Sequence, residues 1–182
     1  DFVRNVRREK GLDFWIPFFD PMDGGVNAKL LFLMEAPGPK AIKSGFVSMN
    51  NPDETAKNIF EILQEIGLER KHVMLWNLVP WYIGREGKIR PANSEDISEG
   101  VAFLVRQLPL LNQLEGVVLV GKKAQKARSD IESHFSRLKI FDSPHPSPMY
   151  VNNKPENRET LKSKWQLAVD CITKKEKQSV NI

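Results

Sequence analysis

His145 stands between Pro144 and Pro146 in the run SPHPSP. Each proline fixes its own φ and biases the residue before it to an extended shape, so an imidazole held there can present a ring nitrogen at a fixed place. A loop histidine satisfied by its neighbours is the plainer alternative. Glu35 directly follows the apolar run 29–34 (KLLFLM), which puts its carboxylate at a strand tip, free for chemistry or spent on nearby backbone. Asn77 interrupts the apolar run 73–79 (VMLWNLV), where a buried amide must have its hydrogen bonds met. A carboxamide can offer a donor and an acceptor to the edge of a base, or cap the end of a sheet. Phe46, in SGFVS, is either core filler or a stacking platform for a flat ligand. Lys122 and Lys123 follow Gly121 at an expected helix start, which describes a phosphate site as well as an ordinary solvated lysine pair. His72 and His134 stand at element ends, where dipole or surface roles suffice.

These residues need elements to bring them together. Apolar runs at 29–34, 73–79, 116–120 and 139–142 alternate with segments of helical period at about 53–66, 94–108, 123–134 and 155–173. In the first helix Ala56, Ile59, Phe60, Leu63 and Ile66 recur at three and four; Asn51 and Pro52 suit its N-cap and first turn, and Gly67 its stop. Four strands, each followed by a helix, imply parallel pairing through right-handed crossovers. The expected fold is a three-layer α/β/α sandwich with a central four-stranded parallel sheet, in a single domain over 1–182. Residues 1–28 form an extension with a helix near 3–8 and a turn-rich loop at 20–25, and 174–182 a solvated tail. In such sheets ligands bind outside the carboxyl ends of the strands, where Glu35, Asn77, Gly121 and His145 all fall.

Composition narrows the classes. At 182 residues with 41% apolar and 27% charged residues, the chain has the make-up of a globular domain rather than a disordered one. The longest apolar runs are far shorter than the roughly 20 residues of a membrane span, and the charged start DFVRNVRREK has no apolar run behind it, so neither membrane nor export is expected. One cysteine, Cys171, excludes an internal disulfide, a four-thiolate zinc site and a cysteine-held iron–sulfur cluster, so an intracellular, cytoplasmic protein without cofactor or metal is expected. The net charge of +4 is compatible with an anionic partner. No Walker sequence, G-x-G-x-x-G, H-x-E with paired cysteines or G-x-S-x-G is present.

Taken together, MEAPGP (34–39), SGFVS (44–48), WNLVPWY (76–82), LVGKKAQKA (119–127) and HPSP (145–148) resemble the uracil-DNA glycosylase superfamily in order and spacing, nearest the branch whose first motif reads G-E-A-P-G. The likeness covers about 29–172. It implies a monomeric DNA repair glycosylase acting on uracil-containing DNA across the strand ends. It implies that Phe46 stacks on the extruded base, Asn77 hydrogen-bonds the uracil edge, and His145 donates to uracil O2. Pro37, Lys122, Lys123, Ser147 and Pro148 would contact DNA, with Met149 and Tyr150 in the place of the wedge that fills the vacated stack. This sequence departs from the family in places. Met34 replaces the first glycine, and Ala36 stands where the best-known branch has a water-orienting aspartate; Glu35 is the first candidate for that task, before Asn50 or Asn51. Gly38 replaces a tyrosine that elsewhere blocks thymine's methyl, and the cluster cysteines of the nearest branch are missing. Two other readings stand beside this one: a member that grips damaged DNA without cutting it, and an enzyme acting on a free nucleoside or nucleotide.

Overall fold

The computed structural model describes residues 2–11, 15–85 and 87–179, with side chains through 172. In chain order its elements are α1 (Phe2–Lys10), β1 (Phe18–Phe19), β2 (Leu30–Met34), α2 (Pro39–Ser44), β3 (Phe46–Val47), α3 (Glu54–Glu65), β4 (Val73–Asn77), β5 (Gly84–Arg85) and β6 (Lys88–Ile89). They are followed by α4 (Ser94–Gln107), β7 (Gly116–Val120), α5 (Arg128–His134), β8 (Lys139–Ser143), α6 (Pro148–Val151) and α7 (Pro155–Ser179).

The apolar runs form one parallel sheet in the order β4–β2–β7–β8. Every residue of β4 and β7 is buried, as continuous apolar runs require when both faces are covered. From β2 the chain crosses through α3 to one side, and from β4 through α4 back past β2 to β7. With right-handed crossovers those helices must lie on opposite faces, which gives the three layers. Helix α7 closes the α3 face, where Trp165 is fully buried and meets Phe32 edge-on, ring centroids 5.0 Å apart. The reversal of direction falls between β2 and β7, so a crevice opens beyond their carboxyl ends.

Several boundaries differ from the pattern reading. Asp53, not Asn51, caps α3: its carboxylate accepts from the Ala56 amide at 2.9 Å. Strand β4 stops at Asn77 because Leu78 and Val79 turn to donate to the Met34 and Glu35 carbonyls. The segment after Lys123 begins as a 3-10 turn over Ala124–Ala127, so the lysine pair does not open an α-helix. Helix α7 runs on to Ser179, through the first part of the expected tail; residues 180–182 lie outside the described residues. No helix among the described residues is long and apolar enough to cross a membrane.

The loop at 20–25 covers the free edge of β4. The Gly24 amide donates to the Val73 carbonyl at 2.8 Å, and a Cβ at Gly24 would stand 2.2 Å from the Lys71 carbonyl oxygen, so only glycine fits this approach. Arg70 ties the loop down through Asp20 and Asp23, each 2.8 Å away. Burial pushes the Asp23 carboxyl up from 3.8 to about 6 despite Arg70, and its Oδ2 is buried without a partner. A raised carboxyl contributes most below its unfolded value and loses that contribution as pH climbs through the folded one. The stability of the native protein relative to Asp23→Asn should therefore fall by about 2–3 kcal/mol between pH 4 and pH 7. Denaturant unfolding at a series of pH values checks this, and parallel profiles for the two proteins would refute it.

Candidate active site

A cavity of about 450 Å³ lies at the carboxyl ends of the sheet strands, lined by Glu35, Pro37, Gly38, Asn51, Asn77 and His145 among others. Two residues from distant parts of the chain, Asn77 at the tip of β4 and His145 just after β8, thus share one chamber. Asn77 is 2% exposed, and its Nδ2 has no hydrogen-bond partner among the described residues. An orphaned buried donor is costly, about 1–3 kcal/mol, and is a sign of an absent acceptor. Burial holds the His145 imidazole below its ordinary pKa, while the charges of Glu35 and Asp53 pull the other way. The ring is accordingly neutral at pH 7, a hydrogen-bond donor that brings no charge.

Glu35 leaves β2 toward the crevice, and its Oε1 accepts the Ala92 amide at 2.6 Å. Lys123, arriving from β7, donates to the carbonyl of the same Ala92. The two side chains therefore hold one residue through both its backbone N–H and its carbonyl, and fix the segment carrying Ile89, Arg90 and Pro91 as a cavity wall. Arg90 adds a fork on Asp96, with Nη2 to Oδ1 at 2.9 Å, at the start of α4. Lys123 is thus occupied inside the fold, whereas Lys122 is exposed. Pro37 lines the cavity. Gly38 does so with ordinary extended backbone, and a Cβ there would meet nothing within 4 Å, so the missing side chain is missing volume.

Phe46 is not among the lining residues. It pairs through β3 with β1, and the pleat turns its neighbour Val47 into the cavity while the Phe46 ring, 37% exposed, leans on Phe18. Of the alternatives to Glu35, Asn51 lines the cavity, but Asn50 is outside it and accepts from Arg70 at 3.2 Å. Beyond His145, Ser147 caps α6 by accepting from the Tyr150 amide, and Pro148 takes the first helical position. Met149 stands 84% exposed at the rim, while Tyr150 packs back onto the core, so the expected wedge pair is split.

Residues 21–168 match the family model of the Uracil DNA glycosylase superfamily. The chain belongs to that superfamily. Among solved structures, a Methanosarcina acetivorans protein studied by solution NMR as a candidate uracil DNA glycosylase aligns with this superfamily member at a TM-score of 0.54 and 14% identity, covering 83% of this chain and 97% of that one. The likeness shows a shared fold. The crystal structure of mimivirus uracil-DNA glycosylase gives a TM-score of 0.47 at 18% identity, over 70% of this chain and 52% of that one, so this chain spans about half that protein's length. No curated protein matches the sequence.

Sequence reasoning missed the β5–β6 hairpin and the wall that follows it, whose only local signal is Gly87 at positive φ. It also missed Asn58 and Ser143, which are linked to the distant Pro146 and Trp165; the one available clue was a polar Asn58 four residues before Ile62 on the buried stripe of α3.

Proposed function

We propose that this protein hydrolyses the N-glycosidic bond of uracil, or of a related deaminated base, turned out of DNA into the cavity. The observation that supports it best is the shared chamber of a neutral imidazole and an amide donor without a partner, the two groups needed at a pyrimidine's edge. When the C1′–N1 bond breaks, its electron pair leaves with the base, and the developing negative charge spreads to O2. A His145 N–H donating to O2 stabilises that anion, and Asn77 Nδ2 donating to O4 holds the ring in register. The sugar becomes cationic and takes the oxygen of a water, whose proton passes to solvent. Glu35, with one carboxylate oxygen held by Ala92, has the other for that water. Bringing the base out of the stack costs a few kcal/mol, against which Met149 can fill the gap.

The test is alkali-revealed strand cleavage of a uracil-containing oligonucleotide beside cytosine and thymine controls. No product from the native protein would refute the reading. DNA binding without product would instead favour a gripping role, for which the absence of an acidic group at Ala36 argues. Lys122, exposed beside the crevice, should contribute one phosphate contact. Lys122→Ala is then expected to lower the slope of log affinity against log salt by about 1, measured by fluorescence anisotropy, with little change in base preference.

A further inference from the structure

The two carbonyls that flank His145 are each held by a buried side chain, one from the residue just before the loop and one from α3. On one side the Ser143 hydroxyl donates to the Pro144 carbonyl at 2.8 Å and itself accepts from the Trp165 indole N–H at 2.8 Å. On the other, Asn58 of α3 donates through Nδ2 to the Pro146 carbonyl at 3.0 Å. Asn58 is 7% exposed, Ser143 1% and Trp165 not at all, so the Asn58–Pro146 and Trp165–Ser143 bonds are shielded from water. The third side is closed by Gly121, whose φ of +87° admits glycine and whose Cβ, if present, would stand 3.3 Å from the His145 Cβ. Proline has no amide hydrogen, so Pro144 and Pro146 cannot anchor this loop through their nitrogens, and carbonyls are the handles left.

We infer that Asn58 and the Trp165–Ser143 pair are positioning residues which hold the His145 ring at the angle its hydrogen bond to the departing base requires. This rests on the glycosylase reading for its catalytic consequence, but not for its geometry. A donor must meet the oxygen where charge develops, and a displacement of about 1 Å can cost about 100-fold in rate. Neither group lines the cavity. Their loss should therefore slow the chemical step while leaving DNA affinity in place.

The experiment compares Asn58→Ala and Trp165→Phe, the second of which removes the indole N–H and leaves a smaller aromatic ring, in native and His145→Ala backgrounds. Single-turnover release of uracil is expected to fall about 10- to 100-fold in each single variant with unchanged affinity for the oligonucleotide. In the His145→Ala background neither substitution should slow the reaction further, because the ring they place is gone. A merely structural role predicts equal slowing in both backgrounds, and that result would overturn the inference. A second arm needs no turnover: proton–nitrogen correlation NMR of the imidazole rings should show His145 passing from one tautomer and a sharp signal to exchange broadening in both variants, with His72 and His134 unchanged. An unaltered His145 signal would overturn the inference by itself. If native protein releases no uracil, the substrate reading fails, and the NMR arm alone decides whether these side chains place the ring.

Discussion

His145→Ala is expected to slow uracil release about 100- to 1,000-fold, the usual consequence of removing one donor from an anion-stabilising site. The loss belongs to the chemical step, so single-turnover rates should fall while affinity for the uracil-containing strand stays near the native value. Desolvation sets the pH behaviour. Since burial lowers the imidazole's pKa from its ordinary 6.5, against the pull of Glu35 and Asp53, the neutral ring persists to lower pH than it does in a free imidazole. Any acid limb of the native rate due to His145 should thus lie on the acid side of a free imidazole's titration. His145→Gln, which keeps an N–H but cannot titrate, should retain more activity than the alanine variant and lose that limb. Full activity in His145→Ala would remove the residue from the mechanism.

Asn77→Ala should show a different signature. A base-edge hydrogen bond of this kind is worth about 1–3 kcal/mol of discrimination, so kcat/KM on uracil is expected to fall about 5- to 150-fold. Selectivity should fall with it, because the amide distinguishes a carbonyl at C4 from an amino group. Stability should move little, because removing a donor that has no partner takes away a desolvation cost as well as packing. The comparison to make is the uracil-to-cytosine ratio of excision rates beside thermal unfolding of both proteins. An unchanged ratio, or a collapse of the unfolding midpoint, would refute the assignment.

What could be read from the chain followed from locality. The four central strands are apolar runs that must be covered on both faces, and α3 carries its own period, so the parallel sandwich and the meeting of Glu35, Asn77 and His145 at one rim follow without coordinates. The resemblance added roles for these residues, not their surroundings. The orientation of Phe46 was illegible because a two-residue strand has no period to read, and its partner β1 lies 28 residues earlier by register, Phe18 against Phe46. The commitment of Lys123 to Ala92, and with it the wall built on Glu35, depends on a segment some 30 residues away that has no regular structure of its own. The cap of α3 slipped from Asn51 to Asp53 because both residue types suit that role and only the Ala56 amide chooses between them.

The exposed thioether of Met149 and the imidazole of His145 are separated by Pro146, Ser147 and Pro148 alone, and Ser147 is pinned as a helix cap. Two pyrrolidine rings leave that stretch almost no torsional slack. Tip and ring therefore behave as one stiff lever, so a force at position 149 is felt at the imidazole rather than dissipated in the loop. A small fluorescent reporter attached there would sense the filling of the chamber from outside it, without entering the chamber itself.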